Sequence, residues 1–529
     1  MIILDNPEFI RLTRSKLRPV KMLVMSAVGV FICGGILTLM YIKESDLGRH
    51  AVANQPQMFR DFFFWCCGIE LVVLCLYCGI LSAQNVALER ERSTLDFQRL
   101  VGIGPWRLAI GKLFGAPVEA FWIAGVCMLF SGMAVMGGGV SIFVFLEMQM
   151  VLMVYGVLVS AVGLLASTVV EKTGSATGLM LLIAIVSWIC SASLAKSGVN
   201  FVSASSPAYF MMALYTQDHR FGAQGMPLHF TFFNMQFHLL IGYCFVNLYL
   251  AAIAFVGTVR RLSNDEFSFM QLRHAALTFA ATEFMLLSGY FGAVSRMDAL
   301  VAFHGVNLVM LGAFAFGLTP SGELVRGRLH RAKRNDHWRL LFELRNRLQD
   351  APALATVLLF TALYCVLALI LTVCAGDAPI QAYAAIVLVA GASVALASWL
   401  LYLHVYMESG SFRMALILLT AAAVAPPIFV SIIASPDHVV MVNPLFYIGR
   451  LNELQKLRGY NGPGADGAIW ACPAICLALG VTGFALAAMR MRFLLDLNEI
   501  ERKRDDAALT RAEQALPAAT AAARLMAKQ

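Results

Sequence analysis

Twelve apolar blocks of about 20 residues each punctuate the chain, long enough to cross a hydrocarbon core of roughly 30 Å as helices. They fall at 22–42, 62–84, 113–136, 142–169, 176–195, 237–259, 275–294, 299–318, 353–375, 380–406, 414–434 and 468–489. In lipid, only helices and closed barrels satisfy their own backbone groups. A barrel reads as short alternating segments, whereas these blocks are continuous. The expected fold is an all-α polytopic membrane protein with about 12 transmembrane helices. Composition agrees, at 59% hydrophobic and 14% charged. Soluble chains carry about 45–50% apolar and about 25% charged residues, which excludes an ordinary soluble enzyme. Disorder is excluded too, because low hydrophobicity is its signature.

An even number of spans puts both termini on one side. The positive-inside rule selects that side. With the N-terminus inside, inner segments hold 31 of the 40 Lys and Arg residues. Both termini are therefore expected to be cytoplasmic. The net charge of +8 belongs to these loops, and no nucleic-acid partner is expected. The first run, Met22–Ile42, has no cleavage site before a soluble domain and reads as an uncleaved span.

The twelve cysteines lie in or beside apolar blocks, which argues against a disulfide framework. Cys75-Leu76-Tyr77-Cys78 is a C-x-x-C string inside a span. Packing explains it, with a metal or redox site as the alternative; no partner pair stands at zinc spacing. No metal site is expected. Neither G-x-x-x-x-G-K-S/T nor H-E-x-x-H nor G-x-S-x-G occurs. Gly111-Lys112 is followed by Leu113 and cannot cradle phosphates. The chain is not expected to be an enzyme.

A shift of 237 residues lays the second six spans on the first. Asp61 then meets Asp298, Glu171 meets Glu408, and Ser206-Pro207-Ala208-Tyr209-Phe210 meets Asn443-Pro444-Leu445-Phe446-Tyr447. Six is even, so the halves are expected to be parallel repeats about an axis normal to the membrane. The first half is 1–262, with an amphipathic N-terminal helix at 5–19 and an inner segment at 88–112. The second, diverged half is 263–490, with an inner amphipathic segment at 321–350. Residues 491–529 form a cytoplasmic helical tail.

The inner segment after the second span runs Leu88-Glu89-Arg90-Glu91-Arg92-Ser93-Thr94-Leu95-Asp96-Phe97-Gln98-Arg99-Leu100-Val101-Gly102-Ile103-Gly104-Pro105-Trp106-Arg107-Leu108-Ala109-Ile110-Gly111-Lys112. Phe97, Leu100 and Val101 stand at i, i+3 and i+4 and make a small apolar face. Ser93 or Thr94 is placed to cap a short helix. Gly102, Gly104 and Pro105 then break it. By pattern, the stretch is either a solvated loop with an interfacial helix or a docking element.

Glu91, Thr94-Leu95, Leu100, Pro105 and Gly111-Lys112 resemble, in order and spacing, the inner loop of ABC-2 type transporter permeases. Ser93 departs from the family, which usually has Gly there. The resemblance extends to six spans per unit, the amphipathic segment Asn6–Pro19 and a Pro-aromatic element after the fifth span. It implies a permease subunit of an ATP-binding cassette transporter, of the exporting type. Such a subunit is a multi-pass protein of a bacterial inner (plasma) membrane. ATP and Mg2+ would be bound by partner ATPase subunits and none by this chain. Membrane lipid is the other partner, with room for a further permease subunit. Glu91, Thr94, Leu95, Phe97, Leu100, Val101, Pro105, Gly111 and Lys112 would meet the ATPase. Trp338 and Phe342, on the second inner helix, either join them or lie on anionic headgroups. Pro207, Tyr209 and Phe210, with Pro444, Phe446 and Tyr447, would form re-entrant outer-gate helices. Otherwise they start interfacial helices.

Glu70, Glu119, Glu147, Glu283, His238 and His304 fall within or near spans. Ionisable groups there are functional candidates. Glu70 and Glu119 lie nearest mid-span, with no Lys or Arg expected at their depth. They support an alternative reading, a proton-coupled secondary transporter. A membrane-embedded scaffold or enzyme is the third. Substrate identity is open, since lipids, peptides, drugs and glycans all suit a sparsely charged bundle.

Overall fold

The protein is described here by a computed structural model. It describes residues 5–46, 55–170, 172–181, 183, 206–218, 229–233, 235–264, 268, 270–292, 296–318, 353–375, 380–406, 470, 472–494, 496, 499–500 and 504. Eight helices among them are long and apolar enough to cross a membrane. They match eight expected spans, and the chain is a multi-pass integral membrane protein. Blocks 275–294 and 299–318 are also helical, as Leu272–Gly292 and Arg296–Leu318. Only the start of block 176–195 is described, and 414–434 lies outside the described residues.

The chain divides into two compact units. Unit 1 comprises Met1–Phe269 with Leu277–Phe303, and unit 2 comprises Met270–Ala276 with His304–Gln529.

Unit 1 opens with α1 (Pro7–Lys16), started by Asn6, whose side chain accepts from the Glu8 and Phe9 amides. α2 (Pro19–Asp46) is 28 residues long, about 40 Å at 1.5 Å per residue. It leaves Leu23, Phe31 and Leu39 exposed, as a lipid-facing helix should. The next span is one rod, Gln55–Glu91. It is made of α3 (Gln55–Val72), a π-turn (Val73–Tyr77) and α4 (Cys78–Glu91). α5 (Thr94–Leu100) and α6 (Pro105–Gly115) follow, then α7 (Val118–Met136) and α8 (Ile142–Val169). The expected span 113–136 is interrupted: Pro117 has no N–H and separates α6 from α7. α9 (Pro207–Asp218), a two-stranded hairpin and α10 (Leu239–Ser263) complete the core of the unit. The hairpin pairs His229–Phe232 with Met235–His238, antiparallel. It is a local exception to an all-helical expectation.

Helices in lipid gain little from the hydrophobic effect against each other, so close contact and buried polar bonds must hold them. The α4–α8 seam does this with small residues. A Cβ on Gly163 would sit 2.8 Å from the Gly79 carbonyl and 2.9 Å from Ser82 Cβ. Ser82 and Ser160 hydroxyls meet at 3.2 Å, and Ser160 donates to the Leu113 carbonyl at 2.6 Å. At one end of the bundle, Gly137 and Gly139 of the α7–α8 turn press on Phe59 and the backbone of Pro56 and Arg60. Gly138, at φ +72, makes the turn itself. The far ends of α4, α8 and α10 gather at the opposite, arginine-rich end.

Leu272–Gly292 (α11) and Arg296–Leu318 (α12) come next in the chain. In unit 2, α13 (Ala353–Cys374) packs on α14 (Ile380–Tyr406). α14 packs on α15 (Cys472–Leu494) at Gly391, whose added Cβ would lie 2.9 Å from the Leu477 nitrogen. Trp399 Nε1 donates to the Leu479 carbonyl at 3.1 Å.

Candidate functional site

The rod of the second span ends at Glu91, and Arg92 and Ser93 turn the chain. Ser93 adopts φ 56, ψ 22, in the left-handed region. Its side chain makes no capping bond. Thr94 Oγ1 instead donates back to the Glu89 carbonyl at 3.2 Å. The side-chain cap expected at Ser93 or Thr94 is thus replaced by a backbone reversal, which folds α5 across the bundle end.

α5 has two faces. Leu95 is buried among Val86, Leu108, Leu164 and Leu262, and Gln98 is buried beside it in sequence register. Arg99 donates to the carbonyls of Leu262 at 3.1 Å and Arg261 at 3.5 Å. Cations suit such a helix C-terminus. The other face holds Phe97, Leu100 and Val101, which are 67%, 85% and 59% exposed. These are the residues the spacing places together. Gly102, at φ +79, turns the chain again, and Pro105 opens α6 at its first position. Trp106 stays exposed while its ring lies 5.5 Å from that of Phe255.

Gly111 and Lys112 occupy a different place from that face. A Cβ on Gly111 would lie 2.8 Å from both Asn6 Oδ1 and Glu8 Cβ. Glycine therefore lets α1 lie directly on α6. Lys112 is fully buried, and its ammonium donates to Glu8 Oε1 at 2.7 Å, Glu89 Oε2 at 2.5 Å and Asn85 Oδ1 at 3.2 Å. Arg11 reaches the other side, to Glu8 at 2.8 Å and Glu89 at 2.6 Å. Two carboxylates and two cations thus join α1, α4 and α6. Burial acts to raise the Glu8 carboxyl, but Arg11 and Lys112 outweigh it and hold it below its ordinary range. The hydrogen bond to Glu8 likewise raises Arg11. Farther along α1, burial pushes the Lys16 ammonium down, while it donates to the Ala116 carbonyl. Asn6 Nδ2 donates to the Arg107 carbonyl at 2.6 Å. Of these groups, Asn6, Glu8, Asn85 and Glu89 were not singled out by sequence. The Asn6-Pro7 start was the available signal for the helix, but nothing local ties it to Lys112.

Glu91 is exposed and accepts from the Thr173 amide at 2.7 Å, joining α4 to the start of the helical segment after α8. Arg90 and Arg261 donate to the Thr168 carbonyl, which closes the end of α8. Pro207, Tyr209 and Phe210 begin α9 and are buried. Tyr209 and Phe210 share a core with Phe62, Phe63 and Phe145. Phe210 lies 5.9 Å from the Tyr243 ring, and Arg60 pins α9 through the Tyr215 carbonyl at 2.9 Å. Trp338, Phe342, Pro444, Phe446 and Tyr447 lie outside the described residues.

Glu119 has the basic partner that the sequence hid. Lys21 lies 2.6 Å from one oxygen, and the Tyr77 hydroxyl donates to the other at 2.7 Å. This corrects the expectation of no Lys or Arg at its depth. Glu70 is buried and accepts from Gln149 Nε2 at 3.2 Å. Glu147 lies 3.8 Å from His238, and His304 meets the Tyr364 hydroxyl at 2.6 Å. Cys75 and Cys78 are packed in the rod, near the Tyr155 hydroxyl at 3.5 Å and the Gly156 carbonyl at 3.6 Å. The eleven described cysteines are free thiols, and no metal-binding group of three occurs among the described residues. No protein-family model, curated protein or solved structure matches the chain.

Proposed function

We propose that this chain is the membrane-embedded permease subunit of an ATP-binding cassette transporter, of the exporting type, driven by a separate ATPase subunit. One observation carries the reading. α5 offers Phe97, Leu100 and Val101 to the outside, while Leu95 and Arg99 anchor it to the bundle and the Glu8–Lys112–Glu89 cluster ties together the helices on either side of it. An apolar face at the charged, arginine-rich end of a bundle lies outside the lipid-facing belt and suits a protein pocket. Rigid attachment lets movement of a docked partner reach α4 and α6 without being absorbed by a loop.

On this reading the arginine-rich end is cytoplasmic, in a bacterial inner membrane, and ATP and Mg2+ belong to the partner. The chain itself is non-catalytic. Two parallel six-span halves make the pathway. A photo-crosslinking residue in place of Phe97 tests the docking. Covalent capture of an ATP-hydrolysing subunit in intact membranes is expected. Capture of lipid alone would make α5 an interfacial helix.

A further inference from the structure

Three helices of unit 1 bring polar side chains to one buried point. Glu70 of α3 is 1% exposed, Gln149 of α8 is 5% exposed and Ser131 of α7 is fully buried. Gln149 Nε2 donates to Glu70 Oε2 and to Ser131 Oγ, each at 3.2 Å. Ser131 in turn donates to the Met128 carbonyl at 2.9 Å. Gln149 Oε1 is buried with no hydrogen-bond partner among the described residues. The site therefore holds a carboxyl group and an orphaned amide oxygen. Among the described residues, no ion pair to Glu70 occurs within 4.0 Å.

The contrast with Glu119 is direct. The π-turn Val73–Tyr77 follows Glu70 in the rod of the second span. Tyr77, at its end, bonds Glu119, which also has Lys21. Glu70, three residues before its start, has the amide of Gln149 as its hydrogen-bond partner among the described residues. Single π-turns inside helices concentrate at functional sites. They re-aim the residues around them by one extra position per turn.

A buried polar group without a partner costs about 1–3 kcal/mol, and an ionisable group within a span marks a functional site by default. A protonated Glu70 could donate its O–H to Gln149 Oε1 while accepting the Gln149 N–H, so a proton and a positive ligand compete for this site. A positive ligand satisfies both acceptors at once. We propose that Glu70, Gln149 and Ser131 form an intramembrane site for one monovalent cation, either an alkali-metal ion or the ammonium group of an organic amine. The carboxylate supplies the charge, and Gln149 Oε1 supplies a neutral oxygen. Ser131 fixes the amide. Such a site is independent of whether an ATPase docks on α5.

The test uses the full-length chain in lipid nanodiscs and the apolar carboxyl reagent dicyclohexylcarbodiimide. Adducts at Glu70 are counted by peptide mass spectrometry. Sodium chloride, butylammonium chloride and the polar N-methylglucamine salt are compared. At a ligand concentration about ten times its Kd, roughly a tenfold fall in the adduct is expected, because only that share of sites stays free. Protection by sodium identifies an inorganic ion, and protection by butylammonium alone identifies an amine. In Gln149→Leu the adduct should form as before but without protection. An adduct that no cation suppresses would make Glu70 a structural carboxyl and overturn the proposal. So would the absence of any adduct in the wild-type chain, or full protection in Gln149→Leu.

Discussion

Lys112 of α6 and Glu8 of α1 meet at 2.7 Å across 104 residues of chain, both almost fully buried. Glu89 and Arg11 complete the group. Its position decides its role. It joins the N-terminal helix to both helices that carry α5, so the exposed apolar face stands on a fixed platform.

Removing one member of a buried ion pair leaves the other charge uncompensated, at about 3–5 kcal/mol. Lys112→Met is therefore expected to be among the most damaging single changes at this end of the bundle. Thermal denaturation in nanodiscs should show a large loss of stability, with α1 released first. A variant as stable as the wild type would mean that the cluster contributes nothing net.

Acid should loosen α1 through Glu8. Its carboxyl titrates below the ordinary value of about 4.3. A depressed acid stabilises the fold above its unfolded pKa, and that contribution fades as pH falls through the folded one. Pepsin cleavage within residues 5–19 should stay low near pH 5 and rise below about pH 4. Glu8→Gln should flatten the profile, with cleavage already raised at the upper end. An unchanged rise in that variant would assign the transition to another carboxyl.

The spans were legible because lipid demands continuous apolar helices, and blocks such as 142–169 coincide with Ile142–Val169. The two faces of α5 were half legible. Spacing placed Phe97, Leu100 and Val101 together, but not Leu95 on the opposite side as an anchor. What sequence could not supply were pairings across distance. Lys21 lies 98 residues from Glu119, and Lys112 lies 104 from Glu8. Neither has a local signature, so Lys112 read as part of a surface motif and Glu119 as an unpaired acid. The π-turn was invisible as well, because Val73–Tyr77 is as apolar as the helix on either side.

Ser93 is the non-glycine residue that turns α4 into α5 with a positive φ. The left-handed region costs an ordinary residue about 1–2 kcal/mol, partly offset for glycine by its greater unfolded freedom. Ser93→Gly should raise stability by up to about 1 kcal/mol, and Ser93→Val should lower it. Paired melting curves in one lipid composition measure both. A destabilised Ser93→Gly would show that the hydroxyl makes a contribution the backbone does not reveal.

The α4–α8 seam should reject bulk that other glycines accept. Gly163→Leu drives a side chain into the Gly79 carbonyl and Ser82. Overpacking of this kind costs typically about 1–3 kcal/mol, and here the obstacle is backbone. Gly34 has no described residue within 4 Å of an added Cβ, so Gly34→Leu should behave like the wild type. Size-exclusion profiles of purified protein distinguish them. Equal loss in both variants would mean that helix propensity, not the seam, governs folding.

The permease reading is tested most directly by affinity purification from native membranes, comparing the wild type with a Leu100→Asp, Val101→Asp double variant. Both residues are exposed, so the variant should fold and elute as the wild type does. An ATP-hydrolysing subunit should accompany the wild type and be lost from the variant. An ATPase absent from both preparations, or retained equally by both, would contradict docking on α5.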